Sequence, residues 1–116
     1  MGKHQDGVWI IDAEGRTVFA NERMGEILGT DPRGMIGEHS FIYVFPEDAD
    51  AAQHLFDVKT RGDSEPFHFK LRRKDGSAVW VDVQGTPLHN AAGVFNGIVG
   101  TFTISRHQGK MESRWA

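Results

Sequence analysis

The residues best suited to chemistry in this 116-residue chain are its six histidines and its sixteen aspartates and glutamates. Such side chains act as general acids, general bases or metal ligands when several converge on one point. Three carboxylates, Glu47, Asp48 and Asp50, crowd the start of a predicted helix, where the positive end of the helix dipole accounts for them. The histidines are scattered without the spacing of a metal site. We therefore predict no catalytic residue and no metal site.

What the chain lacks excludes further classes of chemistry. It has no cysteine, which excludes disulfides, zinc–thiolate and iron–sulfur sites and thiol nucleophiles. It has no nucleophile elbow, phosphate-binding loop or zinc-protease motif, so we predict that it is not an enzyme. A net charge of −3, with one short basic cluster at Arg72-Arg73-Lys74, argues against nucleic-acid binding.

The length of the chain and its apolar pattern limit the number of domains and exclude a membrane-spanning helix. The longest apolar runs, such as Val8 to Ile11, fall far short of the ~20 residues that cross a bilayer. We predict a cytoplasmic protein without membrane contact. A chain of this size holds one domain, which we place at residues 7–105, between an N-terminal tail (1–6) and a C-terminal tail or linker stub (106–116).

The N-terminal half predicts a hairpin, a short helix and an irregular segment. The hairpin strands are Gly7 to Asp12 and Arg16 to Ala20, separated by a turn. Asn21 is placed to cap the helix and Gly29 to end it. The stretch from Thr30 to Phe45 has room for one or two single-turn helices. The apolar face of the first helix carries Met24, Ile27 and Leu28.

A longer helix is predicted next. Phe45-Pro46-Glu47-Asp48 opens it, because proline and carboxylates suit a first turn, and Gly62 ends it. Lys59 and Arg61 suit the negative end of its dipole. The inward face carries Ala52, Leu55 and Phe56.

Three strands complete the chain. Alternation predicts Phe67 to Arg72 and Ala78 to Pro87, joined by an Asp-Gly turn. Two hairpin signals compete here, Asn96-Gly97 and Asn90 to Gly93. We place the turn at Asn90 to Gly93, which leaves the last strand between Val94 and Ser105. Gly97 then lies inside that strand, where it indicates a close approach of another backbone segment. The order predicts an α+β fold, an antiparallel sheet with helices on one face.

Motifs in a fixed order tie these elements to a known family. They are Asp12, Gly15, Asn21 and Gly29, then Phe45-Pro46-Glu47-Asp48, Arg72 to Ser77, Trp80-Val81, Pro87-Leu88, Gly93 and Gly97-Ile98-Val99-Gly100. The set, covering about Gly7 to Ile104, resembles the PAS domain family of sensory modules. The resemblance implies a five-stranded antiparallel sheet with short helices packed on one face and a pocket between the two layers.

The resemblance also implies a function. Such domains are non-catalytic; they sense a small ligand or a cofactor, form homodimers, or do both. They regulate an output domain such as a histidine kinase or a cyclic-dinucleotide enzyme, and we expect a bacterial sensor histidine kinase of a two-component system. An alternative is a structural dimerisation or docking module with a filled core.

Ten apolar residues are candidates for the pocket, and the same residues would equally fill a core. They are Met24, Leu28, Phe45, Phe56, Phe69, Leu71, Val81, Val83, Ile98 and Phe102.

Cofactor binding would need a ligand residue in the pocket, whereas dimerisation would need apolar residues on the outer face of the sheet. The resemblance makes His54 a candidate haem ligand, although its position lies about three residues beyond the family's. The absence of cysteine excludes the adduct photochemistry of flavin-binding members but leaves non-covalent flavin binding open. Trp9 and Trp80 are predicted to face outward from the sheet, where they would make the dimer contact.

Overall fold

A five-stranded antiparallel sheet forms one layer, and short helices pack on one of its faces, so the predicted α+β fold is confirmed. The computed structural model describes residues 6–105; the two predicted tails, except for residue 6, lie outside the described residues, as do His4 and His107. The strands are β1 (Gly7–Asp12), β2 (Thr17–Ala20), β3 (Phe67–Arg72), β4 (Ala78–His89) and β5 (Phe95–Ile104). The helices are α1 (Glu22–Leu28) and α2 (Ala49–Thr60), with 3₁₀ turns at Pro32–Met35, Ser40–Tyr43 and Pro46–Asp48.

The strand order is β2-β1-β5-β4-β3, with every neighbouring pair antiparallel. The first and last strands of the chain therefore lie side by side, and β5 occupies the middle of the sheet. The register places Gly100 of β5 opposite both Trp9 of β1 and Gly85 of β4. This row of three residues crosses the centre of the sheet.

Local signals placed α1 correctly. The Asn21 side chain accepts a hydrogen bond from the Met24 amide at 2.9 Å, which is the predicted helix cap. It also accepts from the Val8 amide at 2.9 Å and so ties the helix start to β1. Gly29 ends the helix at φ 71°, a conformation that glycine adopts without strain.

The choice between two hairpin signals near the C-terminus is also confirmed. The Gly93 amide donates to the Asn90 carbonyl at 2.9 Å, which closes the predicted turn. Gly97 lies inside β5, where a Cβ would collide with the Ile11 carbonyl oxygen, so the predicted close backbone approach is real. β4 extends to His89, beyond its predicted end.

The prediction that Trp9 faces outward is wrong. Its side chain lies on the inner face, with rings of Tyr43 and Phe102 centred 5.7 and 5.5 Å away. The indole nitrogen donates to Thr17 Oγ1 at 2.9 Å, so burial leaves it with a partner. The run from Val8 to Ile11 is apolar throughout, and alternation therefore could not indicate which of its residues face the helices.

No helix within residues 6–105 is both long enough and apolar enough to cross a membrane.

Candidate functional site

An apolar cavity of about 130 Å³ lies between α2 and the inner face of the sheet. Strands β1, β3, β4 and β5 and the 3₁₀ turn at Ser40–Tyr43 supply the other walls. Among the lining side chains, polar groups occur on Trp9, Ser40 and Lys59. An apolar protein cavity of about 150 Å³ holds benzene, so this slightly smaller space suits an apolar body of at most about six non-hydrogen atoms.

Two glycines on neighbouring strands contribute backbone rather than a side chain to the wall of the cavity. Gly85 and Gly100 are paired in register and both line the cavity. Their neighbours on the inner face of the same strands, Val83 and Phe102, carry large side chains. A Cβ at Gly85 would lie 3.3 Å from Cε of Lys59, and one at Gly100 would lie 2.7 Å from the Phe102 ring. Glycine at an inward position of an apolar strand indicates a close approach of neighbouring atoms, here the Lys59 stem and the Phe102 ring, and this signal could have identified both positions.

One face of α2 covers the cavity. Ala52, Leu55, Phe56 and Lys59 line it from above, in helical spacing. Sequence reasoning identified the first three as the inward face but assigned Lys59 to the helix dipole. Lys59 is 2% exposed and belongs to the same face, since it follows Ala52 by seven residues and Leu55 by four. That spacing is the signal that could have identified it.

Six of the ten predicted pocket residues line the cavity: Phe56, Phe69, Leu71, Val83, Ile98 and Phe102. Met24, Leu28 and Val81 are fully buried elsewhere in the core and do not line it. Periodicity identified their inward faces correctly, but it could not say which part of the core each face meets.

Phe45 is the fourth of the predicted residues that lie outside the cavity. Its ring carries the Lys70 ammonium 5.0 Å above its centre. The same ammonium lies 3.5 Å from Asp48 Oδ2 and 3.7 Å from Glu47 Oε2. Asp48 is buried, so Lys70 supplies the charge that compensates it and holds the start of α2 against β3. The carboxylates at this helix start have a structural explanation.

Shifted pKa values occur at contacts away from the cavity. Arg33 beside Asp31 lowers the pKa of that exposed carboxyl to about 2. Burial, and then the charge of Glu38, raises the pKa of Tyr43. None of these residues lines the cavity. Within residues 6–105, no group of three or more histidine, aspartate or glutamate side chains could hold a metal ion.

The outer face of the sheet has two distinct parts. At one end Trp80 stacks on His68, with ring centres 4.9 Å apart, and His68 Nδ1 lies 2.9 Å from Asp82 Oδ1. Towards the other end, apolar side chains form a continuous patch, because Ile10 is paired with Phe19 on one side and Val99 on the other. Phe19 is 46% exposed.

The residues do not fit haem or flavin. Clefts for drug-sized ligands measure roughly 300–1,000 Å³, and the cavity is far smaller at about 130 Å³. His54 is exposed on α2 and does not line the cavity, so the arrangement provides no iron ligand from that helix.

Comparison with known proteins agrees with this architecture. Hypoxia-inducible factor 1-alpha from Gallus gallus is 29% identical over 76 residues, which cover 62% of this chain and 9% of that protein. The PAS domain of a protein from Colwellia psychrerythraea superposes with a TM-score of 0.77 at 18% identity, covering 86% of each chain. The PAS-B domain of Drosophila melanogaster Cycle, with bound ethylene glycol, gives a TM-score of 0.74 at 17% identity over 85% of this chain and 99% of that one.

The model of the PAS fold family matches residues 4–104, nearly the whole chain. The chain spans only about a tenth of the length of the curated relatives it matches. A five-stranded antiparallel sheet, with short helices on one face and a cavity between the two layers, is the arrangement that the resemblance implied. The chain therefore belongs to the PAS fold family, whose members serve as signal-sensing domains.

Proposed function

We propose that this domain senses a small, largely apolar ligand in the cavity beneath α2 and regulates an output domain outside the present sequence. The observation that carries the proposal is the apolar cavity of about 130 Å³ between α2 and the sheet. A domain that needed only a filled core would be more stable without this space, because an unfilled cavity loses packing contacts. The Cycle PAS-B domain, a structural neighbour, has bound ethylene glycol.

The lining residues favour binding over catalysis. Within the part of the chain that the structure describes, they include no histidine and no carboxylate that could act as a general acid or base. We therefore propose a non-catalytic sensor. The output, as the family resemblance implies, is a histidine kinase or a cyclic-dinucleotide enzyme.

Strand β5 is the proposed route from the cavity to the output domain. Ile98, Gly100 and Phe102 of β5 line the cavity, and the strand ends at Ile104, close to the C-terminus of the described residues. β5 pairs with both β1 and β4, so a shift in its position changes the centre of the sheet. Ligand occupancy would favour one of two packings of α2 on the sheet, and β5 would transmit the difference.

A cavity-filling variant tests ligand binding. The purified protein is first denatured and any released molecule identified by mass analysis, with an absorbance spectrum to detect a coloured cofactor. Benzene is then titrated into ¹⁵N-labelled protein. We expect shifts at amides of α2 and β5, and at least about tenfold weaker binding in Gly85→Val, because the new side chain occupies the space.

Thr86→Val is the matched control, since Thr86 is the next residue on β4 and is exposed. It adds the same side chain to the opposite face and should leave benzene binding unchanged. Equal benzene affinity in Gly85→Val and the wild type, or no binding to the wild type, would refute the proposed site.

Homodimerisation is the second candidate function, favoured by the apolar patch on the outer face of the sheet. Val8, Ile10, Phe19 and Val99 form this patch, and exposed apolar patches mark interaction surfaces. We expect Phe19→Glu to convert a dimer into a monomer in light scattering. Val94→Glu is the control, because Val94 is an exposed apolar residue in the turn before β5. Trp80 stays a predicted contact at the other end of this face, and Trp80→Ala tests it in the same assay.

A further inference from the structure

Lys59 is an unusual component of an apolar cavity. Its side chain is 3% exposed, whereas lysines are almost never fully buried unless paired. Its hydrocarbon stem forms part of the cavity wall, with Cε directly above Gly85. Burying an ammonium costs free energy that a methionine or leucine at this position would not incur. The contacts of the ammonium group show how the protein compensates this cost.

The ammonium of Lys59 has its hydrogen-bond partners in the loop that follows α2. It donates to Asp63 Oδ2 at 3.2 Å and to the Glu65 carbonyl at 2.9 Å. It also lies 5.4 Å from the ring centre of Phe67, which lines the cavity as well. Within residues 6–105, Lys59 is the only charged residue that lines the cavity. A ligand in this space would therefore contact the stem of a lysine, with the ammonium group at its end.

Asp63 is the partner that a ligand could replace. Its side chain is 36% exposed, so its carboxylate can be solvated when it leaves the ammonium. The same Oδ2 accepts a hydrogen bond from the Glu65 amide at 3.2 Å and so supports the loop between α2 and β3. A ligand carboxylate that reached the Lys59 ammonium would compete with Asp63 for it.

We propose that the ligand is a small monocarboxylic acid. Its apolar body fills the cavity, and its carboxylate binds the Lys59 ammonium in place of Asp63. The proposal rests on the proposed function, since it requires a ligand in this cavity. Lys59 supplies the charge-assisted hydrogen bond without which a carboxylate in apolar surroundings would be strongly disfavoured. Release of Asp63 removes its support of the Glu65 amide, so occupancy would also alter the loop before β3.

Benzoate and nitrobenzene are suitable probes, because they have nearly the same shape and only benzoate is charged. Each is titrated into ¹⁵N-labelled protein at neutral pH. We expect benzoate to bind the wild type about tenfold or more tighter than nitrobenzene. The Glu65 amide should shift with benzoate and not with nitrobenzene.

Two variants separate the charge from the cavity. Lys59→Met keeps an unbranched stem and should weaken benzoate about tenfold or more, while nitrobenzene affinity stays within about threefold. Asp63→Asn alters a partly exposed side chain, so it keeps the fold if Lys59→Met does not. It should tighten benzoate about threefold or more, because the competing charge is removed.

The outcomes distinguish the two proposals. If nitrobenzene binds the wild type as tightly as benzoate, or if both Lys59→Met and Asp63→Asn leave benzoate affinity unchanged, the carboxylic-acid proposal is wrong and the cavity remains a ligand site. If neither probe nor benzene binds, the proposed function fails as well.

Discussion

The two helices pack on the same face of the sheet but leave different interiors beneath them. Under α1, Met24, Ile27 and Leu28 have no exposed surface and do not line the cavity described above. Under α2 the sheet and helix enclose a cavity of about 130 Å³, bordered by Leu55 and Lys59. The same kind of helix–sheet contact is thus used for stability at one end and leaves space for a ligand at the other.

The inward-facing glycines of these two regions differ in the atoms that pack above them. At Gly7 of β1, a Cβ would lie 2.9 Å from both Ile27 Cδ1 and Met24 Sδ. The absence of a side chain therefore allows α1 to pack closely against the strand. At Gly85 of β4, the nearest atom is Cε of Lys59 at 3.3 Å, which belongs to the flexible end of a long side chain that borders the cavity. The side chains on the facing helix, rather than the glycine, determine whether the space is filled.

Truncating one leucine in each region should give the largest difference in the free energy of unfolding between the two regions. Leu28→Ala under α1 is expected to lower the free energy of unfolding by about 3–4 kcal/mol, because closely packed neighbours cannot collapse into the gap. Leu55→Ala beside the cavity is expected to cost about 2 kcal/mol, since Leu55 already borders space and has fewer partners to lose. Urea unfolding of both variants measures the difference. An equal or larger loss for Leu55→Ala would mean that the region under α2 is as tightly packed as that under α1.

Adding one methyl group at each glycine should give a smaller effect of opposite sign. Gly7→Ala is expected to destabilise the protein by about 1–3 kcal/mol, because the new Cβ also lies 3.2 Å from the Met24 backbone, which cannot move easily. Gly85→Ala should stabilise by up to about 1 kcal/mol, since alanine loses less conformational freedom than glycine and the end of Lys59 can shift. Thermal unfolding of the two variants tests this. Destabilisation by Gly85→Ala of the same size as by Gly7→Ala would contradict the contrast.

Tyr43 lies at the border of the two regions. We expect its ionisation to have the smallest effect on stability. Its ring packs edge-on against Trp9, which lines the cavity, and its hydroxyl donates to Glu38 Oε1 at 3.3 Å. Because burial raises the pKa of Tyr43, the folded state holds the phenolic proton more tightly than the unfolded chain does. Its contribution to stability is therefore full below the ordinary tyrosine pKa of about 10 and is lost as the pH rises above it.

Urea midpoints of wild type and Tyr43→Phe at pH 8 and pH 10.5 measure this effect. We expect the wild type to lose more stability over this interval than the variant, in which the titrating group is absent. Identical losses in the two proteins would show that Tyr43 ionises as freely in the folded state as in the unfolded chain.

Sequence reasoning succeeded where the deciding interaction lies within a few residues. The cap at Asn21, the helix end at Gly29 and the turn at Asn90 to Gly93 each depend on one side chain or one backbone conformation. It failed for Trp9 because β1 is apolar on both faces, so only pairing with β2 and β5 determines which face meets the helices. It misplaced Lys59 because the residue type predicts a solvated position, although the helical spacing predicts an inward one.

The sequence by itself determined the elements, their order and the family, because caps, turn glycines and apolar alternation act over short stretches of chain. Only the tertiary structure decided that a cavity exists and what surrounds it. Gly85 and Gly100 lie fifteen residues apart, and strand register alone brings them opposite each other. The charge of Lys59 belongs to the cavity because α2 packs across that row of the sheet, an outcome of packing between segments distant in sequence.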